Sequence, residues 1–279
     1  MELNNLQADR PFPRCLTIAG SDSGGGAGIQ ADLKTFGALG AYGASVLTAV
    51  TAQNTQGVQG VHVIPSDMIV RQCQSVLDDI RIDAVKIGML PNGESIRAVA
   101  SVLRHYRVPF VVLDPVLVAT SGDSLALEDT VDAMWSELVP LADLLTPNLN
   151  ELAQLTRSPL AADEAEMLAQ GKMMLDKGCK AVLLKGGHWQ GSEEARDWLV
   201  QQGQEPQCLI TSRVPTQNTH GTGCTLSSAI AAYYPQSDEL RFAVSSAKSY
   251  VQGAIEGGAH WRVGRGHGPL AHFWRTVPN

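Results

Sequence analysis

Positive charge is scarce in this chain. Its 279 residues carry 21 lysines and arginines against 28 aspartates and glutamates, a formal net charge of −7. A surface of that sign has no general attraction for nucleic acid or an anionic membrane, so a phosphate ligand would need a local site. Paired cysteines are missing as well. Cys15, Cys73, Cys179, Cys208 and Cys224 are odd in number and widely spaced, with no Cys-x-x-Cys among them. That pattern speaks against a disulfide framework or structural zinc and for a reduced, cytoplasmic setting. No run of about 18 apolar residues is available to span a bilayer, and residues 1–14 contain no apolar signal-peptide segment. No Gly-x-x-x-x-Gly-Lys-Ser/Thr loop occurs, so a Walker-type phosphate loop is excluded.

What is present is glycine, 27 residues against roughly 7% in an average chain, and it is concentrated where apolar runs end. Short Val-, Ile- and Leu-rich runs at 15–19, 45–49, 60–64, 84–88, 110–114, 144–146 and 181–185 predict strands. Amphipathic stretches at 29–39, 67–78, 93–105, 127–139, 151–155 and 164–177 predict helices between them. Ser66 and Asp67 are candidate N-caps, and Gly178 a helix C-terminal glycine. Segments 198–200 and 208–211 predict an antiparallel hairpin at a sheet edge. Helices follow at 225–234 and 239–255, then a glycine-rich loop at 263–268. Alternating strand and helix predict a doubly wound α/β fold, a mostly parallel sheet with helices on both faces. One domain over 14–279 is expected, preceded by a disordered extension over 1–13. Ligands of such sheets bind off the carboxyl ends of the strands.

Four clusters fall at those ends. The first, Ser21 to Asp32, includes Gly24, Gly25, Gly26 and Gly28. It fits G-x-G-x-x-A, but a dinucleotide fold also needs an acidic residue about 20 positions on, and none lies between Leu33 and Ser66. The plain alternative is a tight strand-to-helix turn. The better functional reading is a loop where backbone approaches a small ligand, flanked by Asp22 and Asp32. The second cluster is Thr219-His220-Gly221-Thr222-Gly223-Cys224 ahead of a helix. Its glycines free several N–H groups to converge on one anion, and the helix start adds partial positive charge. The same field would favour a Cys224 thiolate able to take a proton from a hydroxyl; the competing reading is a buried structural cysteine. His220 reads as a hydrogen-bonded loop residue rather than a base.

The third cluster joins Asp114, at a strand end, with Asn148 and Glu151 of Thr146-Pro147-Asn148-Leu149-Asn150-Glu151. These oxygen donors suit Mg²⁺ beside phosphates, directly or through water, although Asn148 could simply cap a helix. The fourth is Leu184-Lys185-Gly186-Gly187-His188, where a strand-end lysine reaches towards phosphate or merely sits solvated at a turn. Lys248, in the last long helix, reads as a solvated face on its own.

Taken together, these stretches resemble the ribokinase-like superfamily. They come closest to the hydroxymethylpyrimidine/phosphomethylpyrimidine kinases of thiamine biosynthesis. Besides the four clusters, Thr51-Ala52-Gln53-Asn54-Thr55, Lys86-Ile87-Gly88-Met89-Leu90, Asp114-Pro115-Val116 and Asn218 match in family order, from about Arg14 to Trp274. The resemblance implies ATP as co-substrate, Mg²⁺, and two successive transfers, to a hydroxymethyl group and then to the monophosphate. It assigns Gln53, Met89, Ala27 and Asp32 to the pyrimidine and Cys224 to catalysis, with Gly221, Thr222 and Gly223 forming the anion hole. Lys185, Thr219, Lys248 and Asn148 go to the nucleotide, and Asp114 and Glu151 to the metal. A cytoplasmic homodimer, binding neither nucleic acid nor membrane, is also implied. Departures are Leu117 where methionine is expected, and Pro215 and Gln217, the latter removing a charge near the nucleotide. Pyridoxal kinase activity on the same scaffold is the main alternative; a nicotinamide-dependent oxidoreductase and a non-catalytic vitamin-binding module are weaker ones.

Overall fold

Residues 12–117, 129–187 and 193–276 are described by a computed structural model. Nine strands form one sheet: β1 (Arg14–Ser21), β2 (Tyr42–Asn54), β3 (Gly57–Val63), β4 (Ala84–Ile87), β5 (Val111–Leu113), β6 (Leu144–Leu145), β7 (Ala181–Lys185), β8 (Glu194–Gln201) and β9 (Gln207–Ser212), in the order β3-β2-β1-β4-β5-β6-β7-β8-β9. The six inner strands β2-β1-β4-β5-β6-β7 run parallel, and β3, β8 and β9 pair antiparallel at the edges. The helices are α1 (Gly28–Ala38), α2 (Ser66–Leu77), α3 (Gly93–Tyr106), α4 (Thr130–Ala133), α5 (Leu149–Thr156), α6 (Glu164–Asp176), α7 (Thr222–Ser237) and α8 (Leu240–Gly258).

Strand alternation divides the core in two. Leu16, Ile18, Val85, Ile87, Val111, Leu113, Leu145, Val182 and Leu184 pack on one face with α2, α3, α5 and α6. Cys15, Ala84, Phe110, Val112, Leu144, Ala181 and Leu183 pack on the other with Phe36 of α1 and with α7 and α8. Both faces are covered, which is why the inner strands read as unbroken apolar runs.

Several local expectations are corrected. The run at 60–64 belongs to β3, which folds back on a β2 that extends to Asn54; Gln53 is therefore a strand residue. In the expected helix at 127–139, residues 127 and 128 lie outside the described residues. The remainder is one turn of α4, a wide π turn at Met134–Leu138 and a 3-10 turn at Val139–Leu141 containing Pro140. Neither Ser66 nor Asp67 caps α2: Pro65 holds the N-cap position, Ser66 donates to Glu94 at 2.5 Å, and Asp67 pairs with Arg71. The edge hairpin is longer than 198–200 and 208–211, since its pairing runs from Glu194 to Ser212. Helix α7 begins at Thr222, so Cys224 already lies in its first turn. Of the expected extension at 1–13, residues 1–11 lie outside the described residues. Pro13 is tied down, its carbonyl accepting from Tyr42 N at 2.8 Å. No helix among the described residues is long and apolar enough to cross a membrane.

Candidate active site

The α7-facing register of the strands carries apolar residues for most of its length and then turns polar. Thr17 on β1 stands opposite Lys86 on β4. Asp114, Thr146 and Lys185 continue the row at the ends of β5, β6 and β7, each two residues beyond an apolar residue of the same face. Above this row opens a cavity of about 730 Å³.

At one end the glycine-rich turn folds around Asp22. Its carboxylate accepts from the backbone N–H of Gly24 (2.8 Å), Gly26 (3.0 Å) and Ala27 (2.8 Å), and it meets His220 Nε2 at 2.9 Å. Burial alone would raise this carboxyl, but the His220 and amide hydrogen bonds hold it below its ordinary value. Gln53 and Met89 line this end, with Ala27 at the N-cap of α1. The Gln53 side-chain oxygen accepts from Thr51 Oγ1 at 3.2 Å. Gly20 makes room for the methionine, since a Cβ there would stand 2.6 Å from Met89 Cε.

Asp32 is a correction. Expected among the substrate contacts, it is fully buried below the cavity floor and does not line it. It faces inward from α1 onto Lys86, whose Nζ lies 2.9 Å from both carboxylate oxygens, and it accepts from Thr17 Oγ1 (2.6 Å) and Ser228 Oγ (2.7 Å). Removing one partner of a buried pair of this kind costs about 3–5 kcal/mol.

The first turn of α7 closes the middle of the cavity. Gly221, its N-cap, adopts φ 84°, a left-handed geometry that suits glycine. A Cβ there would also overlap the Gly26 carbonyl oxygen. First-turn N–H groups have no i−4 carbonyl, so those of Gly223 and Cys224 are available to an anion. Thr222, Gly223 and Cys224 are half-buried and line the cavity, with exposed Thr219 just before them. The expectation of a ready thiolate is not met. Burial pushes the Cys224 thiol up to about 11; the Lys86 ammonium and the Gly28 N–H pull it down, while Asp32 and Asp114 add to the rise. One helix terminus does not offset burial among carboxylates.

At the far end Lys185 Nζ meets Asp114 Oδ1 at 2.9 Å and Glu151 Oε2 at 3.7 Å. Asp114 is held below the usual carboxylate range: burial opposes this, and Lys185, Lys86 and Thr146 outweigh it. Burial and the neighbouring Asp114 push Glu151 up to about 7, against Lys185. Asn148 and Glu151 form a capping box on α5, Asn148 Oδ1 accepting from Glu151 N at 2.9 Å and Glu151 Oε2 accepting from Asn148 N at 2.7 Å. Capping therefore holds the two side chains at the cavity that both line. The donor set is all oxygen and supplies two carboxylates, which fits Mg²⁺ held partly through water beside phosphates. Among the described residues no group of three or more His, Cys, Asp or Glu side chains could cage a metal without such help. Lys248 is not a solvated lysine; its Nζ lies 2.5 Å from Asp197 of β8, which also accepts from Gly186 N.

A profile of the family described as phosphomethylpyrimidine kinase matches residues 22–271. The chain is 50% identical over 258 residues to the hydroxymethylpyrimidine/phosphomethylpyrimidine kinase of Escherichia coli (strain K12), spanning 92% of this chain and 96% of that one. It belongs to the phosphomethylpyrimidine kinase family. Among solved structures it is similar to the Staphylococcus aureus pyridoxal kinase in complex with ADP, with TM-score 0.88, 33% identity and 96% of each chain covered. It is likewise similar to the Clostridium difficile phosphomethylpyrimidine kinase, with TM-score 0.76 and 41% identity over 87% of this chain and 99% of that one.

The residues expected from the family resemblance, Asp32 apart, all border this one cavity. Sequence reasoning passed over Lys86, Asp197 and the partnership of His220 with Asp22. The signals were present: Lys86 shares a face with Ala84, and Asp197 shares one with Leu199, so each polar side chain interrupts an inward-facing apolar series. His188 lies outside the described residues.

Proposed function

We propose that the protein is an ATP-dependent kinase. It phosphorylates 4-amino-5-hydroxymethyl-2-methylpyrimidine and then the resulting monophosphate, giving the diphosphate used in thiamine biosynthesis. The observation that carries this reading is the order of groups along one cavity: Gln53 and Met89 at one end, the α7 N-terminus with Cys224 in the middle, Lys185 and Lys248 at the other. The Gln53 carboxamide offers both a donor and an acceptor to an aminopyrimidine edge, and Met89 supplies an adaptable apolar wall.

Phosphoryl transfer asks chiefly for positioning and charge stabilisation. In the first step the substrate hydroxyl oxygen forms a bond to the γ-phosphorus, the bond from that phosphorus to ADP breaks, and the hydroxyl proton passes to the Cys224 sulfur of those molecules that carry it as thiolate. The N–H groups of Gly223 and Cys224 receive the equatorial oxygens, and Gly221 and Thr222 shape that turn. Lys185, Thr219, Lys248 and Asn148 hold the nucleotide. Asp114 and Glu151 would hold Mg²⁺, directly or through water, and the ion would neutralise phosphate charge. In the second step the acceptor is already ionised, so the sulfur is needed less. A cytoplasmic homodimer is part of the same reading. The exposed Val61 and Val63, two residues apart on one face of β3, support an apolar contact there.

ADP release measured over the pyrimidine alcohol, its monophosphate and pyridoxal tests the assignment. The expected outcome is the higher kcat/KM for the pyrimidine. A higher value for pyridoxal overturns it and favours the activity carried by the Staphylococcus aureus relative.

A further inference from the structure

We propose that Lys86 is a positioning residue of the transfer step: anchored by Asp32 under the first two turns of α7, it is the resident positive charge for the Cys224 sulfur. The inference rests on Cys224 being the proton acceptor. The ion pair is fully buried on both sides, and it is built from four elements. Thr17 of β1 and Ser228 of α7 each donate to one oxygen of Asp32 from α1, and Lys86 rises from β4 to span both. Ser228 lies four residues beyond Cys224, on the same side of the helix. Cys224 and the α7 contact of the pair therefore lie on one side of the helix.

A structural role alone accounts poorly for this arrangement. Buried ion pairs give little net stability over apolar residues of similar volume, and apolar residues fill this face of the sheet up to the polar row in which Lys86 stands. Of the two partners only Lys86 borders the cavity. The groups facing Cys224 are Lys86, Asp32, Asp114 and the Gly28 N–H, with Lys185 across the floor. Lys185 shares itself between Asp114 and Glu151 and is the lysine that turns to phosphate. Once nucleotide engages Lys185, Lys86 is the cation left to the sulfur. Gly88 keeps its place open, since a Cβ there would stand 2.8 Å from Lys86 Nζ.

The test reads the sulfur directly, without turnover. Iodoacetamide alkylation of Cys224 in the ligand-free protein is followed by peptide mass between pH 6.5 and 9.5 in a Cys208→Ser background. Cys15, Cys73 and Cys179 are buried. Either single change orphans a buried charge, so the informative variants are Lys86→Met with Asp32→Asn, and Lys86→Gln with Asp32→Asn, which keeps hydrogen-bonding partners for Thr17 and Ser228. One pKa unit is a tenfold change in thiolate. Both double variants are expected to alkylate about tenfold more slowly than the parent at pH 8. Either double variant, folded and with the parent rate and pH profile, overturns the proposal. These results stand whether or not the parent phosphorylates the pyrimidine, so failure of the kinase assignment and failure of the Lys86 role are read separately.

Discussion

The pH dependence of the two transfers should differ, and the difference follows from one thiol. With Cys224 pushed up to about 11, only a small fraction of the protein carries the thiolate near neutral pH, and each further pH unit multiplies that fraction about tenfold. If the sulfur takes the hydroxyl proton, kcat for the pyrimidine alcohol should climb by about a factor of ten per unit between pH 7 and 9. The monophosphate acceptor brings its own negative charge, so its kcat should stay nearly flat over the same interval. Cys224→Ala should then cost the first transfer about 10²-fold or more, the usual contribution of a positioned base, and the second less than about tenfold. Rapid-quench measurement of a single turnover with labelled ATP separates the two steps. An equal loss in both transfers, or a flat profile for the alcohol, would refute the base assignment and leave Cys224 as a wall of the anion hole.

Gly20→Ala drives a methyl into Met89 Cε, so KM for the pyrimidine should rise several-fold while KM for ATP holds, as steady-state kinetics would show. Asn148→Ala removes the capping box of α5; it should cost about 1 kcal/mol and lower Tm by about 2 °C in a thermal scan, together with nucleotide affinity. Asp22 is held below its unfolded value, so the stability it contributes is present above pH ~4 and lost as the pH falls through its lowered folded pKa. Urea unfolding should therefore show Asp22→Asn destabilised at pH 7, with the gap to the parent narrowing as the pH falls below about 4. If β3 forms a dimer contact, Val61→Asp with Val63→Asp should halve the mass seen by sedimentation; an unchanged mass removes that surface.

Much of the floor of the site was written in strand alternation. In Ala84-Val85-Lys86, Phe110-Val111-Val112-Leu113-Asp114 and Ala181-Val182-Leu183-Leu184-Lys185, every second residue faces α7, and each series ends on a charge. The glycine clusters were legible because left-handed or crowded backbone admits little else. Asp32 misled because its motif lies next to the substrate loop, while the helix phase of α1 turns the carboxylate inwards to Lys86, 54 positions away. Cys224 misled in another way: a helix terminus is visible in a sequence, but burial beside two carboxylates is a three-dimensional fact. The break at Met134–Leu138 was hidden because the apolar spacing of a regular helix persists through the π turn.

The contact of Gly221 with Gly26 joins points 195 positions apart, as do Asp22 with His220 and Asp32 with Ser228 at separations of 198 and 196. Synthesis of the chain therefore completes the glycine-rich turn around Asp22 early and the first turn of α7 late. For most of translation the nascent protein holds Asp22 without His220, and Lys86 and Asp32 without the helix that covers them. Closing loops this long slows folding, and no partial product of the ribosome ending before α7 can carry out transfer. The cavity is thus a checkpoint on completion: the same few contacts that join its two ends of the chain also certify that the fold has closed.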